Sequence, residues 1–152
     1  MKINGKHNFE VTPQVNEVDL VLTNDGRLAG SAPPGNIVPA TATTTTGSAT
    51  DSLVDSMTVT PAAGIYLITF RGSVDHSING SDITMSLYND GSRNDASECF
   101  VRRGTSQGDV ALSFCCEARF TVNGSQAIEG KWKTSGTTAS MYARSLSYIK
   151  VS

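Results

Sequence analysis

Charge is scarce in this 152-residue chain: Asp, Glu, Lys and Arg together make up 17% of it, with a formal net charge of −2. The basic residues form no cluster beyond Arg102-Arg103, which excludes nucleic acid as a partner, because its phosphates bind through several neutralising contacts. Long hydrophobic runs are missing too. No stretch reaches membrane length and the opening MKINGKHNFEV has no apolar h-region, so neither membrane insertion nor a signal peptide is expected. No window carries a sustained apolar stripe at i, i+3, i+4 and i+7, which removes amphipathic helices. Cysteine is limited to Cys99, Cys115 and Cys116. An odd count, with two neighbours that must leave a strand on opposite faces, argues against a disulfide framework. The expectation is reduced thiols buried as small hydrophobes in a protein folded in the cytosol.

What remains is rich in Thr, Ser, Gly and Asn, a composition for short strands and turns. The clearest strand is residues 109–122, DVALSFCCEARFTV. Its even positions Val110, Leu112, Phe114, Cys116, Ala118, Phe120 and Val122 are apolar, whereas Asp109, Ser113, Glu117, Arg119 and Thr121 fall on odd ones. That alternation is a long strand with one dry face.

Residues 1–51 contain little apolar material. One strand is predicted over residues 18–23, closed into a hairpin with Arg27-Leu28 by Asn24-Asp25-Gly26. Pro33-Pro34-Gly35 and the tract Thr43-Thr44-Thr45-Thr46-Gly47-Ser48 mark the rest as an extended arm or linker. Phe9, Val11, Val18, Leu20, Leu22, Ile37 and Val38 are its candidate attachment residues.

From residue 52 strand signals recur with the rhythm of a sandwich. Leu53, Met57 and Val59 mark one inward face; Tyr66, Ile68, Phe70 and Val74 the next; then Ile83, Met85 and Leu87. A strand over residues 96–103 is expected after a polar loop. Asn123-Gly124 reads as a hairpin turn, Ile128, Gly130 and Trp132 share a face, and residues 137–144 and 146–151 make two last strands. The fold class is all-β: a compact antiparallel two-sheet jelly roll of about eight strands over residues 52–152.

Three stretches carry a resemblance. They are Thr60-Pro61-Ala62-Ala63-Gly64-Ile65-Tyr66-Leu67-Ile68-Thr69-Phe70, Leu87-Tyr88-Asn89-Asp90-Gly91, and Ala143-Arg144-Ser145-Leu146-Ser147-Tyr148-Ile149-Lys150-Val151. In this order the chain resembles the trimeric jelly-roll heads of the tumour-necrosis-factor and complement globular-head superfamily, in the versions carried by tailed-phage virions. The resemblance implies a homotrimer with the Gly64 strand and the last strand near its axis. Independently, both faces of these strands are apolar, and one sandwich core covers only one of them, so that a neighbouring subunit, or else the N-terminal arm, is expected to cover the other. The candidate trimer interface is Ile65, Tyr66, Leu67, Leu146, Tyr148, Ile149 and Val151.

Chemistry is sparse. Asp75-His76-Ser77 are consecutive, so they cannot form the line that links nucleophile, base and orienter. Residues 89–95, NDGSRND, have oxygen ligands but not the acidic spacing of a calcium loop. Glu98, Glu117 and Glu129 fit cross-strand pairs with Arg102, Arg119 and Lys131 better than a glycosidase pair. No catalytic residue, metal or cofactor is expected. The expected role is a virion-surface structural protein assembled in the host cytoplasm, whose partners are itself and a major capsid protein or fibre shaft. The alternative is a receptor-binding tip for a host surface glycan or protein, using Asn89, Asp90, Arg93, Asp95 and Trp132.

Overall fold

The computed structural model describes residues 20–22, 28–30, 35–104 and 110–151. The chain divides into two compact units, Met1–Ala32 and Pro33–Ser152. In the first, β1 (Leu20–Leu22) pairs antiparallel with β2 (Leu28–Gly30), Val21 opposite Ala29, as the turn residues between them predict. Phe9, Val11 and Val18 lie outside the described residues.

The second unit is a sandwich of nine strands in two antiparallel sheets, with no helix among the described residues. Its strands are β3 (Gly35–Ala40), β4 (Thr44–Thr46), β5 (Ser52–Val59), β6 (Gly64–His76), β7 (Asp82–Asn89), β8 (Ser92–Arg102), β9 (Leu112–Val122), β10 (Ile128–Thr134) and β11 (Ala139–Lys150). One sheet has the order β5-β10-β7-β8; the other has the order β3-β11-β6-β9, with β4 also on β11. First pairs with last throughout: β3 with β11, β5 with β10, β6 with β9, and β7 with β8. The unit is thus one long hairpin wrapped over itself, the jelly-roll order.

Side-chain alternation puts the core of β9 where the pattern predicts, except that the strand begins at Leu112 and not near residue 109, so that Val110 is 47% exposed and off the dry face. Phe114, Cys116, Phe120 and Val122 of β9 are buried, and the odd residues between them are exposed. They meet Tyr66, Ile68, Phe70 and Val74 of β6, and Phe70 stacks edge-on against Phe114 with ring centroids 4.9 Å apart. From the facing sheet come Val54, Met57, Ile83, Met85, Leu87, Ile128 and Trp132. Gly130 has no Cβ because the Phe70 ring occupies that space, 3.1 Å from where the Cβ would stand. Complete burial of each large side chain contributes about 1.5 to 3 kcal/mol.

Several expectations are corrected. The arm does not run to residue 51: Ile37 and Val38 belong to β3, opposite Ser147 and Leu146, and the Thr tract supplies β4. Polar, β-branched Thr suits a strand whose outer side is wet. In β5 Val54, not Leu53, is buried, because a bulge at Asp55-Ser56, with Ser56 at φ 66°, shifts the alternation before Met57. No polar loop separates β7 from β8. Asp90 and Gly91, at φ 50° and 78°, make a two-residue turn, and β8 begins at Ser92. Within β8 the buried Ser97 hydroxyl accepts the Leu87 N–H (2.8 Å) and donates to Asn94 O (2.6 Å), which satisfies the irregular ladder there. Asn123-Gly124 closes no hairpin; it carries the chain from one sheet to the other, and the Asn123 side chain accepts from Ser125 N at 3.0 Å. The two last strands are a single β11, bulged between Met141 and Arg144, so that Met141 and then Arg144, Leu146 and Tyr148 turn inward.

Both sheets end on the same two flanks. On one, β8 and β9 are joined by a Cys99–Cys116 disulfide with Cα atoms 5.9 Å apart, a correction to the expectation of reduced thiols. The pair is invisible in the spacing because its two strands belong to different sheets. On the other flank the buried Arg144 donates from Nε and Nη2 to Asp55 O (3.1 and 2.9 Å), and from Nη1 to Ala42 O (2.6 Å) and Tyr142 O (3.2 Å). Burial draws its pKa below the ordinary guanidinium value, with Asp55 opposing. Arg144→Met keeps the apolar stem but leaves these carbonyls unpaired. It is expected to cost about 3 kcal/mol, read as a lower urea midpoint at unchanged m-value; an unchanged midpoint would refute the role.

Candidate functional site

The outer face of the β3-β11-β6-β9 sheet departs from an ordinary wet surface. Its register sets Ile149 beside Leu67, with Arg119 beyond, and Val151 N–H bonds Ile65 O at 2.8 Å. Ile37, opposite Ser147, lies one diagonal away from Ile149. Ile37, Ile149 and Val151 are 55%, 48% and 51% exposed, and Ile65 and Leu67 are half-buried. Shallow hollows flank the ridge, one lined by Asn36, Ile37, Tyr148 and Ile149, the other by Leu67, Arg119 and Val151. The next rows are polar: Thr69 between Ser147 and Glu117, then Arg71 between Ser145 and Cys115. Thr69 donates to Glu117 (3.2 Å), and Arg71 Nε donates to Ser145 (3.3 Å). The free Cys115 is exposed on this face.

Four of the seven expected interface residues therefore share this face: Ile65, Leu67, Ile149 and Val151. Tyr66 and Leu146 are corrected to the core, where they are 4% and 0% exposed, because their parity turns them inward. Tyr148 packs edge-on against Tyr66 at 5.7 Å and borders one hollow. Ile37, assigned from sequence to the arm, was missed as a member; only the β3–β11 register places it here.

The second expected surface is partly assembled. Asn89, Asp90, Arg93 and Asp95 line one polar hollow at the β7–β8 turn, together with Phe120 and Gln126. Trp132 is not among them: it is 1% exposed and part of the core. Arg93 is held by carboxylates, paired with Glu98, 3.4 Å from Asp95 and 3.7 Å from Asp51. Asp51 also accepts the Tyr88 hydroxyl at 2.5 Å. Burial, and then that carboxylate, push the Tyr88 phenol up to about 12. Lys131 lies 4.4 Å over the Tyr88 ring and 3.1 Å from Glu129. The glutamates thus sit in ion pairs or hydrogen bonds, although Arg102 chelates Asp82 (2.6 and 2.8 Å) instead of Glu98. Among the described residues no three His, Cys, Asp or Glu side chains converge as a metal site.

Asp75, His76 and Ser77 do not form a catalytic line. His76 is 1% exposed; its Nδ1 accepts Ile78 N–H (2.9 Å), which leaves Nε2–H to donate to Thr134 Oγ1 (2.6 Å). Ser77 is turned toward Thr138 O (3.0 Å). Arg103 donates to the His76 carbonyl and lies 3.6 Å from Asp75.

The chain matches no protein-family model and no curated protein sequence. Its functional reading therefore stands on the fold and on these two surfaces.

Burial lowers the His76 pKa from its ordinary value of 6.5, Asp75 acting against the shift and Arg103 with it. The unfolded chain then binds a proton that the folded chain refuses. This contribution to stability is complete above the unfolded value and is lost as pH falls through the lowered folded one. The melting temperature of the full chain is expected to fall as pH drops from 7 toward 5, and His76→Gln is expected to flatten that slope. Equal slopes for the two chains would refute the assignment.

Proposed function

We propose that this chain is a non-enzymatic virion structural protein, a homotrimeric capsid decoration or cement protein whose jelly-roll head assembles through the outer face of the β3-β11-β6-β9 sheet. The observation that carries the reading is the apolar ridge of Ile37, Leu67, Ile149 and Val151 on a sheet whose other face already fills the core. An apolar ridge built by cross-strand register rather than by scattered residues calls for a cover, and a closed cyclic assembly of identical heads supplies one. The pairing of first strand with last supports the same reading, since it is the order that the resemblance to phage-borne trimeric heads implies.

Because β3 and β4 belong to the head, attachment falls to residues 1–32, the other compact unit. Three such units on one trimer gain from multivalency, so each can bind its capsid site weakly. The alternative, a fibre tip that binds a host glycan, is favoured by one observation: the polar hollow of Asn89, Asp90, Arg93, Asp95 and Gln126. A glycan array separates the two, because a cement head needs no selective sugar binding.

Light scattering on a sizing column tests the assembly. The full chain is expected at three times its 16.0 kDa mass, and Leu67→Glu with Ile149→Glu is expected to run as a folded monomer. Cys115 gives a second readout, since its exposed thiol is expected to alkylate quickly in that monomer and slowly in the trimer. A monomeric parent chain at micromolar concentration would overturn the proposal, as would a trimer unaffected by both substitutions.

A further inference from the structure

The two cysteines of the bridge are not equivalent. Cys116 is 2% exposed and lies within the core cluster, whereas Cys99 is only half-buried, on the edge strand β8. The strands that carry them belong to different sheets, so the 5.9 Å Cα separation is produced by sheet packing and not by local sequence. Cys115, next to Cys116, leaves β9 on the opposite face and is exposed, so the sheet itself stands between its thiol and the bridge.

We propose that Cys99 and Cys116 form a redox clamp with a fixed direction, Cys99 as the entry thiol and Cys116 as the resolving thiol. Sheet packing holds the dithiol ready, and a small-molecule disulfide such as oxidised glutathione closes it once the protein leaves a reducing compartment. The Cys99 thiolate attacks one sulfur of that disulfide and expels one glutathione thiolate, leaving a mixed disulfide on Cys99. The Cys116 thiolate then attacks the Cys99 Sγ, forms the bridge and expels the second glutathione. The two protein thiols supply two electrons and two protons, and both glutathiones leave as thiols. Reduction runs the same path backwards, entering at Cys99. Attack on the more accessible sulfur sets this order, because the deeply buried thiol reaches only a partner already inside the sandwich. The clamp does not depend on what the head attaches to.

The test uses the full chain with Cys115→Ser, folded and reduced, then given excess oxidised glutathione and followed by intact mass. This chain is expected to end two hydrogens lighter with no glutathione retained, and to melt about 10 °C above its reduced form. Adding Cys116→Ser is expected to trap one glutathione, and adding Cys99→Ser to trap none on the same timescale. An acid quench early in the reaction of the two-cysteine chain, followed by peptide mapping, locates the first adduct without relying on the serine variants to fold. Adducts found equally on both peptides, a dithiol that never closes, or coincident melting of the two forms would overturn the proposal.

Discussion

The guanidinium of Arg144 is the contact on which the arrangement of this sandwich most depends. In a jelly roll nearly every connection passes from one sheet to the other, so the backbone ladders hold strands within a sheet and do nothing to hold the sheets together. Here only β7 and β8 are successive neighbours in a ladder of the larger unit. Arg144 emerges from β11 where its bulge turns the side chain inward and takes the carbonyl exposed by the bulge in β5. Two irregularities, one in each sheet, are thereby joined by a single side chain. A Lys at this position would be a point charge without the planar fork that serves Asp55 O, Ala42 O and Tyr142 O together.

The opposite flank needs a different device. Phe114, Cys116 and Phe120 of β9 contribute to the core there, but β8 offers it little beyond Cys99, Val101 and the hydroxyl of Ser97. A covalent bond takes the place of missing apolar area. Loop closure over the 17-residue separation is worth about 3 kcal/mol in the chain-entropy account, comparable to burying one more large side chain.

The sequence is most legible where a strand is regular. Residues 112–122 alternate without interruption, and every inward residue of β9 is foretold by parity. Legibility fails at bulges, because one added residue reverses the parity of all that follow. Leu53 and Val54 exchange places for this reason, and in β11 Met141 and Arg144 face the same way, so that no single alternation runs through the strand. Turn chemistry is equally ambiguous: Asn-Gly favours positive φ whether the chain doubles back in one sheet or crosses to the other, and only tertiary pairing decides. The apolar second faces of β6 and β11 were readable. That Leu67 meets Ile149, that Ile37 joins them, and that Cys99 meets Cys116 are facts of register and sheet order, which no local window contains.

Why would the proposed assembly use a face and not an edge? Each sheet presents outer strands whose unpaired backbone groups invite open-ended pairing. The outermost strand β3 carries Pro39, which has no N–H to offer a neighbour. The edge strands β5 and β8 are interrupted by bulges at Ser56 and around Ser97, and β9 alternates Glu117 and Arg119 along its solvent side. The edges formed by β3, β5, β8 and β9 are thus blunted by proline, a bulge or charge, while the ridge of Leu67, Ile149, Ile37 and Val151 is left apolar. Pairing through edges would propagate without limit, whereas packing through one bounded ridge can close after a few copies when the rotation between neighbours permits it. The same chain that discourages fibres therefore retains one surface on which a finite assembly can form.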